Sequence, residues 1–228
     1  MIATVVNCLA IVGGCLVGLL IKGNISKKIS TNIMNGIALC VLYIGISGSL
    51  KGENTLITII SMAIGALIGE LIDLDKGLNK LGDKLEEKFS SEKGEVSISK
   101  GFVSASLLFC VGAMAIVGSL QSGLTGNYET LFAKSILDGI SSIIFAASLG
   151  IGVIFSAISV FLYQGIITIG SSFMSNILSD SVVNSMTAIG SLLIIGLGLN
   201  MLKVTNIKVA NLLPAIIIPI LFGLFGLI

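Results

Sequence analysis

The chain has 228 residues, of which 54% are hydrophobic and 11% charged, and its formal net charge is +1. A soluble domain carries charge on about a quarter of its residues, so this chain has too few charges to coat a water-facing surface. The balanced charge gives no electrostatic argument for nucleic-acid binding. The absence of histidine removes the commonest metal ligand and the usual proton shuttle near neutral pH.

The apolar residues fall into long blocks that contain almost no charge. A helix needs about 20 apolar residues to cross a bilayer, and the blocks are close to that length or longer. A membrane β-barrel would instead need short strands with alternating apolar and polar positions. The pattern predicts an all-α, polytopic transmembrane helix bundle. In chain order, the predicted blocks are Ile2–Ile21, Ile33–Leu50, Thr55–Ile72, Gly101–Leu120, Leu131–Met174, Val182–Leu202 and Val209–Ile228.

Two of these blocks need interpretation. The first lacks a basic start and a clear small-residue cleavage site, so we expect a retained helix and not a signal peptide. The fifth, Leu131–Met174, would measure roughly 60 Å as one straight helix, about twice the hydrocarbon thickness. We expect it to fold back at Gly150–Gly152, where backbone freedom is greatest. This gives about eight membrane segments, with a re-entrant hairpin as the alternative because the break carries no charge.

The stretch Asp73–Lys100 is the long polar part of the chain, with six lysines and seven acids. Together with the lysines that follow the first and sixth blocks, it is expected to be cytoplasmic, because basic loops stay on that side. Both termini are then expected to be extracytoplasmic. Within it, Leu74–Phe89 has leucines at helical spacing on one face. This pattern predicts an amphipathic helix, either on the inner membrane surface or packed against the cytoplasmic end of the bundle.

An internal similarity predicts an inverted repeat. The stretch that begins at Ile33 resembles the stretch that begins at Val182, with Asn35 aligned to Asn184. An odd number of predicted crossings separates them, so the two units would be inverted in the membrane, as in many secondary transporters. Convergence of two Gly-rich apolar helices is the alternative. The predicted layout of the single domain 1–228 is a first repeat of three helices at 1–72, a cytoplasmic amphipathic segment at 73–100, central helices at 101–150 and a second repeat of three helices at 151–228.

Lys134 and Asp138 are the clearest functional candidates. They lie four residues apart in an apolar block, which places them on one helix face. Charges inside a membrane segment are costly and usually face a pathway or each other. Lys134 would suit a solute carboxylate and Asp138 a cation or a proton. For Lys134, the alternative is a side chain that extends to the outer headgroups.

Glu70 and several amides complete the set of candidates. Glu70 lies near the end of the third block, where ion coupling and a polar inner boundary are the alternatives. Amides in apolar segments either join helices by hydrogen bonds or bind a solute or sodium. The predicted solute-binding residues are Lys134, Asp138, Gln164, Asn7, Asn35 and Asn184, and the predicted ion-coupling residues are Asp138 and Glu70. No catalytic or metal-binding residue is expected.

The glycines and cysteines predict packing. Pairs of small residues four apart, such as Gly14 with Gly18 and Gly65 with Gly69, allow close contact between membrane helices. The cysteines all lie in apolar blocks without metal-ligand spacing, which predicts free thiols that behave as small apolar side chains. They are Cys8, Cys15, Cys40 and Cys110.

Three stretches carry a family resemblance. They read GALIGELIDLDKGLNKLGDKL from Gly65, FVSASLLFCVGAMAIVGSLQSGLTGN from Phe102 and TLFAKSILDGISSIIFAASLGIGVIFSAISVFLYQG from Thr130. With the rest of the chain, they resemble the YqgA/YdfK-like bacterial membrane proteins, the domain of unknown function 554 family. The resemblance implies an inner-membrane protein of the kind described as a transporter, and it implies no particular substrate or site residue.

We therefore expect a secondary transporter of a small polar solute, amino acid or carboxylate-like, in the bacterial inner membrane. We expect no enzymatic activity, no cofactor and no nucleic-acid partner. The expected partners are membrane lipid, the solute and a second copy of the chain bound through Gly-rich faces. The alternative is a non-transporting scaffold or sensor that binds lipid or a cytoplasmic partner. A transporter needs Asp138 and the asparagines to reach water from one side, whereas a scaffold allows them to be sealed.

Overall fold

The computed structural model describes residues 1–22, 27–77, 80, 98–110, 113–174 and 177–227. Within these residues the regular structure is entirely helical, as the sequence predicts. Most of the predicted amphipathic helix Leu74–Phe89 lies outside the described residues. Its first turn, residues 74–77, is helical.

The helices follow the apolar blocks, and side chains cap two of them. The Asn54 side chain accepts hydrogen bonds at the start of the third helix, and Ser179 caps the long helix that begins at Asp180. The α-helices are α1 (Ile2–Lys22), α2 (Lys27–Ser49), α3 (Thr55–Ile72), α4 (Ile98–Cys110), α5 (Ala113–Leu124), α6 (Glu129–Leu149), α7 (Ser156–Ile169), α8 (Ser171–Met174), α9 (Asp180–Met201) and α10 (Ile218–Leu224), with 3-10 helices at Gly150–Phe155 and Val209–Ile216.

Several of these segments are long and apolar enough to cross a membrane. Leu71 and Ile169 are largely exposed on the outside of the bundle, whereas Asn7 and Gln164 are fully buried. An apolar exterior around buried polar groups suits a lipid environment. The candidate spans among the described residues are Ile2–Ile21, Thr55–Ile72, Glu129–Ile169 and Asp180–Met201, with a fifth if the bent pair α4 and α5 is one span.

The chain folds back between α6 and α7, at the predicted position. Gly150 has a φ of 79°, a left-handed conformation that glycine adopts readily. Asn7 of α1 donates a hydrogen bond to Asp138 of α6, and the Cys8 thiol donates one to the Ala157 carbonyl oxygen of α7 at 3.3 Å. Because neighbouring α1 residues contact both helices, the 41 residues of Glu129–Ile169 do not form one straight rod.

Helices α1 and α6 pack in parallel at a line of small residues. Gly14 lies against Gly139 and Ser142, and Gly18 lies against Ile143, so residue numbers rise together along the two helices. A side chain added at Gly14 or Gly18 would collide with the α6 backbone. This close approach is why glycine is required here.

Two further pairs of segments pack antiparallel, again at glycines. Helix α2 runs against α9, and α3 runs against the second 3-10 helix. In each pair, residue numbers rise along one segment and fall along the other. The defining contacts are Gly45 with Ile195, Gly52 with Ala188, Gly65 with Ala215 and Gly69 with Asn211.

The small-residue pairs of the sequence lie at contacts between helices of the same chain. Gly14, Gly18, Gly65 and Gly69 each have backbone atoms of another segment where their side chain would be. Their faces are filled within the chain, which agrees with the close helix packing that these small-residue pairs predict. The homodimer itself stays a prediction.

Two blocks predicted as straight helices are broken. Ile98–Cys110 and Met114–Leu124 are bent by 61° relative to each other. The last block divides into the second 3-10 helix and α10. Pro214 lies within that 3-10 helix and Pro219 in the first turn of α10. Proline lacks an amide hydrogen and disrupts a helix interior, which explains the second break.

Candidate functional site

The two charged residues of α6 form a buried ion pair. Lys134 Nζ lies 2.9 Å from Asp138 Oδ1 and 2.8 Å from Asp138 Oδ2. Their spacing of four residues brings them together on one face of the helix. Each residue is 6% exposed, so the Lys134 side chain lies in the interior and does not extend to the outer surface.

Asn7 is the third member of this site. Its Nδ2 donates a hydrogen bond to Asp138 Oδ2 at 3.0 Å. The parallel packing of α1 on α6 at Gly14 places Asn7 beside the carboxylate. The carboxylate thus has one charged and one neutral donor, which offsets part of the cost of burying a charge. Asn7 Oδ1 is buried and has no hydrogen-bond partner among the described residues.

Gln164 on α7 is fully buried, and neither of its amide atoms has a partner among the described residues. Five buried hydroxyl side chains also lack a hydrogen-bond partner among the described residues. These hydroxyls escaped prediction because serine and threonine are ordinary residues of membrane helices. For four of them, a spacing of three or four residues from another buried polar residue of the same helix was the available signal. The five hydroxyls are those of Thr4, Ser61, Ser119, Ser122 and Thr168.

A mainly apolar cavity of about 510 Å³ is lined by residues of several helices. Cys110, the last residue of α4, and Ile217, between the second 3-10 helix and α10, both line it. The two broken segments therefore border one space. Tyr163, the neighbour of Gln164, also lines the cavity.

Glu70 takes part in a separate polar cluster at the end of α3. Lys208 Nζ lies 3.0 Å from Glu70 Oε1, and Asn211 Nδ2 donates to Glu70 Oε2 at 2.7 Å. Asn211 Oδ1 accepts a hydrogen bond from the Asp75 amide at 2.7 Å. The hydrogen bond to the Glu70 carboxylate raises the pKa of Lys208 above its ordinary value. Glu70 is therefore bonded to the segment after α9, and not to α6.

Asn35 and Asn184, which the internal repeat aligns, lie apart from the ion pair. Asn35 is exposed on α2. Asn184, in the first turns of α9, donates a hydrogen bond from Nδ2 to Glu53 Oε1 at 3.2 Å. The structure thus brings Asn7, Lys134 and Asp138 together. Gln164 lies on α7, which also contacts α1. Asn35 and Asn184 are not bonded to this site.

The cysteines are free, as predicted. Cys15 is buried, Cys8 and Cys110 are partly buried, and Cys40 is exposed on α2. Cys8 and Cys15 lie on α1, where they face the core of the bundle. These thiols therefore contribute apolar packing, and none of the four is in a disulfide.

Comparison with known proteins agrees with this fold. The family model described as Protein of unknown function (DUF554) matches residues 2–224. The chain is 30% identical over 223 residues to the Uncharacterized membrane protein YdfK of Bacillus subtilis (strain 168), an alignment that covers 96% of this chain and 94% of YdfK. It is 29% identical over 216 residues to the Uncharacterized protein YqgA of Escherichia coli (strain K12), which covers 93% of this chain and 92% of YqgA. No solved structure matches. The chain therefore belongs to the DUF554 family, and its apolar helices and its similarity to YdfK identify it as a membrane protein.

Proposed function

We propose that this protein is a secondary transporter that carries a small polar solute, an amino acid or another carboxylate, across the bacterial inner membrane. The observation that carries the proposal is the buried Lys134–Asp138 pair with Asn7 bonded to it. Ionisable residues inside membrane segments are costly and commonly mark pathways for solutes or protons. The proposal includes no catalytic chemistry and no cofactor.

The ion pair provides a physical basis for coupled transport. Lys134 already binds a carboxylate, that of Asp138. A solute carboxylate that replaced it would leave Asp138 without its cation. An uncompensated buried charge costs several kcal/mol, so a proton or a sodium ion would have to bind Asp138 in the same event. Exchange of partners at this pair would therefore couple the solute to a cation.

The packing of the helices supports an inverted repeat. The predicted mates are α1 with α7, α2 with α9, and α3 with the last block. Each mate packs on its partner, and the contacts of all three pairs run antiparallel. Helices related by a two-fold axis in the membrane plane must be antiparallel where they meet on that axis. In transporters with this plan, the site lies where the repeats meet, and α1, which provides Asn7, belongs to one of these pairs.

The proposed topology has eight crossings and places both termini outside. Helix α6 and α7 count as two crossings because the chain folds back between them, and α4 with α5 counts as one. The second 3-10 helix together with α10 also counts as one crossing. The lysine-containing loops, with Lys22, Lys203 and Lys208 at their helix ends, then face the cytoplasm, where basic loops are retained.

One observation favours the alternative, a scaffold or sensor without transport. Both members of the ion pair are 6% exposed, so neither has free access to water in this conformation. A scaffold would keep the pair sealed permanently, as an ionic link within α6. A transporter would require a second conformation in which Asp138 meets water from one side. The two functions therefore differ in ligand binding at Asp138.

Ligand-induced thermal stabilisation of the purified full-length protein tests the proposal. The panel contains amino acids, small carboxylates, nucleobases and sodium. A ligand at 100 times its Kd that binds only the folded state adds about 2.7 kcal/mol of stability. The variants are Asp138→Asn and, as a matched control, Asp180→Asn, the same change at an exposed position at the start of α9.

The expected result is a stabilising solute for the wild type and Asp180→Asn that has no effect on Asp138→Asn. That solute would also define the substrate class. If a solute still stabilised Asp138→Asn, the ion pair would not be part of the binding site. No stabilisation of any variant across the panel would favour the scaffold and give Asp138 a structural role.

A further inference from the structure

Six buried side chains with unpartnered polar atoms lie on three helices, α1, α5 and α7, and α7 packs against both of the others. Each helix provides two of them, three or four residues apart, so the two share a helix face. Every one has at least one side-chain nitrogen or oxygen without a hydrogen-bond partner among the described residues. They are Thr4 and Asn7 on α1, Ser119 and Ser122 on α5, and Gln164 and Thr168 on α7. We call these six residues the polar row.

One end of the polar row lies next to an exposed loop. Gly123 of α5 lies against Thr168 and Ser171, which places Ser122 and Thr168 at the same end of their helices. The loop at 125–127, directly after α5, is exposed. Ser122 and Thr168 are each 6% exposed, the two members of the row with any contact to solvent. They therefore form the mouth of the row.

The other end of the polar row reaches the ion pair. Gly165 of α7 faces Met1, so Gln164 is level with the start of α1. From there α1 continues through Thr4 to Asn7, whose Nδ2 bonds to the Asp138 carboxylate. Gln164, Thr4 and Asn7 are 0% exposed, as is Ser119. The row thus leads from a loop, through fully buried positions, to the pair.

The unpartnered atoms are an energetic anomaly in a dry interior. Each buried donor or acceptor without a partner costs about 1–3 kcal/mol. Gln164 lacks partners at both the amide oxygen and the amide nitrogen, although hydrocarbon side chains would fill the same space without this cost. A row of such groups is explained if water or solute bonds to it in another conformation of the protein.

The chemistry of the row also selects its occupant. Its six members are hydroxyls and amides, which both donate and accept hydrogen bonds and carry no charge. The ion pair at its end is already electroneutral. An ion that entered alone would add an uncompensated buried charge at a cost of several kcal/mol. The row therefore suits water and small hydrogen-bonding solutes of zero net charge, such as the zwitterion of an amino acid.

We propose that the polar row is the hydrated access path from the loop after α5 to the Lys134–Asp138 pair, and that it admits small solutes of zero net charge. This proposal rests on the proposed function in that the path serves the same site. It is testable without a known substrate, because the hydration of the row is measured directly.

The experiment measures the reactivity of single cysteines in the full-length protein in proteoliposomes. The four native cysteines are replaced by alanine, and Gln164→Cys, Ser119→Cys and Thr168→Cys are made one at a time. The matched control is Ser61→Cys, because Ser61 on α3 is also 0% exposed with an unpartnered hydroxyl but is not on a helix of the row. Ser119→Cys changes one atom, so it keeps the test valid if Gln164→Cys does not fold.

The reagents are the uncharged methyl methanethiosulfonate and the cationic 2-aminoethyl methanethiosulfonate. Only a thiolate reacts, and a thiolate forms where water is present, so we expect Ser119→Cys and Gln164→Cys to react with the uncharged reagent about ten-fold or more faster than Ser61→Cys. Rates equal to that of Ser61→Cys would overturn the path. We also expect the cationic reagent to react well at Thr168→Cys, at the mouth, and poorly at Gln164→Cys.

Equal reaction of the cationic reagent at Thr168→Cys and Gln164→Cys would overturn the assignment of uncharged solutes. These outcomes are separate from those of the stabilisation panel. If the cysteines in the polar row react but no ligand stabilises the protein, the access path is supported and the transporter function is not. If a ligand stabilises the protein only when Asp138 is present, but the cysteines in the polar row do not react, the transporter function is supported and this path is not.

Discussion

Removal of the Asp138 charge is the most direct test of the buried ion pair. Asparagine is nearly isosteric with aspartate, so Asp138→Asn preserves packing and leaves the Lys134 ammonium buried without its counter-charge. Loss of one partner from a buried pair costs about 3–5 kcal/mol. In a chain of this size 1 kcal/mol shifts the Tm by about 2–4 °C, so we expect the Tm to fall by roughly 6–20 °C.

The assay follows from the positions of the cysteines. The chain has no tryptophan, so unfolding is followed with a dye that fluoresces when it reacts with thiols. Cys15 is buried and Cys8 and Cys110 are partly buried, so they react when the protein unfolds. Cys40 is exposed on α2, so it is replaced by alanine in every variant to remove its signal before unfolding.

A double variant separates the charge effect from a loss of packing. Lys134→Met combined with Asp138→Asn removes both charges, and replacement of a whole buried pair by neutral groups is often close to neutral in stability. We expect the double variant to recover most of the Tm lost in Asp138→Asn. A double variant as unstable as the single one, or a single variant within about 2 °C of the wild type, would refute the reasoning.

Three further predictions use the same thermal assay. Gly14→Ala adds a methyl group against the α6 backbone and should lower stability by about 1–3 kcal/mol. The control Gly13→Ala adds the methyl group to open space, so it should leave stability unchanged or raise it by up to about 1 kcal/mol. Gln164→Leu removes two unpartnered amide atoms and should raise the Tm, by the equivalent of about 1–3 kcal/mol; a fall would mean that the amide has a partner. Asn211→Ala should lower the Tm more than Lys208→Met, because Asn211 is 2% exposed and bonds to two groups while Lys208 is exposed. The pKa of Lys208 in the folded state is raised above 10.5. The contribution of Lys208 to folding stability should therefore be complete below pH 10.5 and should disappear as the pH rises through the raised pKa. The measurement is the Tm difference between wild type and Lys208→Met as a function of pH.

The ends of the helices were largely predictable, because bilayer thickness constrains each segment on its own. Helix α3 spans Thr55–Ile72, as the apolar block predicts, and α6 ends at Leu149, inside the block that is too long for one crossing. The bend after Cys110 and the change of helix type at Ile217 were not predicted. Apolar residues on both sides of a bend suit lipid equally well, so hydropathy does not reveal the bend.

The candidate site was predictable only where it is local. Lys134 and Asp138 are a turn apart, and their spacing alone indicates a pair. Asn7 meets Asp138 across 131 residues of sequence, and Glu70 meets Asn211 across 141 residues. Which helices become neighbours depends on how their glycine faces fit together, and that information is spread over two distant segments. One sequence therefore indicated the residue types of the site and not all of its members.

The packing of α3 on the second 3-10 helix has a consequence for biogenesis. Gly65 and Gly69 contact Ala215 and Asn211, which belong to a segment that is synthesised long after α3. Since synthesis runs from the N-terminus, the glycine face of α3 remains open to lipid until the last block is inserted. A chain that stops after Met201 would never close this face or make the bonds from Asn211. The packing of α3 is therefore completed late in synthesis, and we expect quality-control proteases to remove chains that stop before Val209.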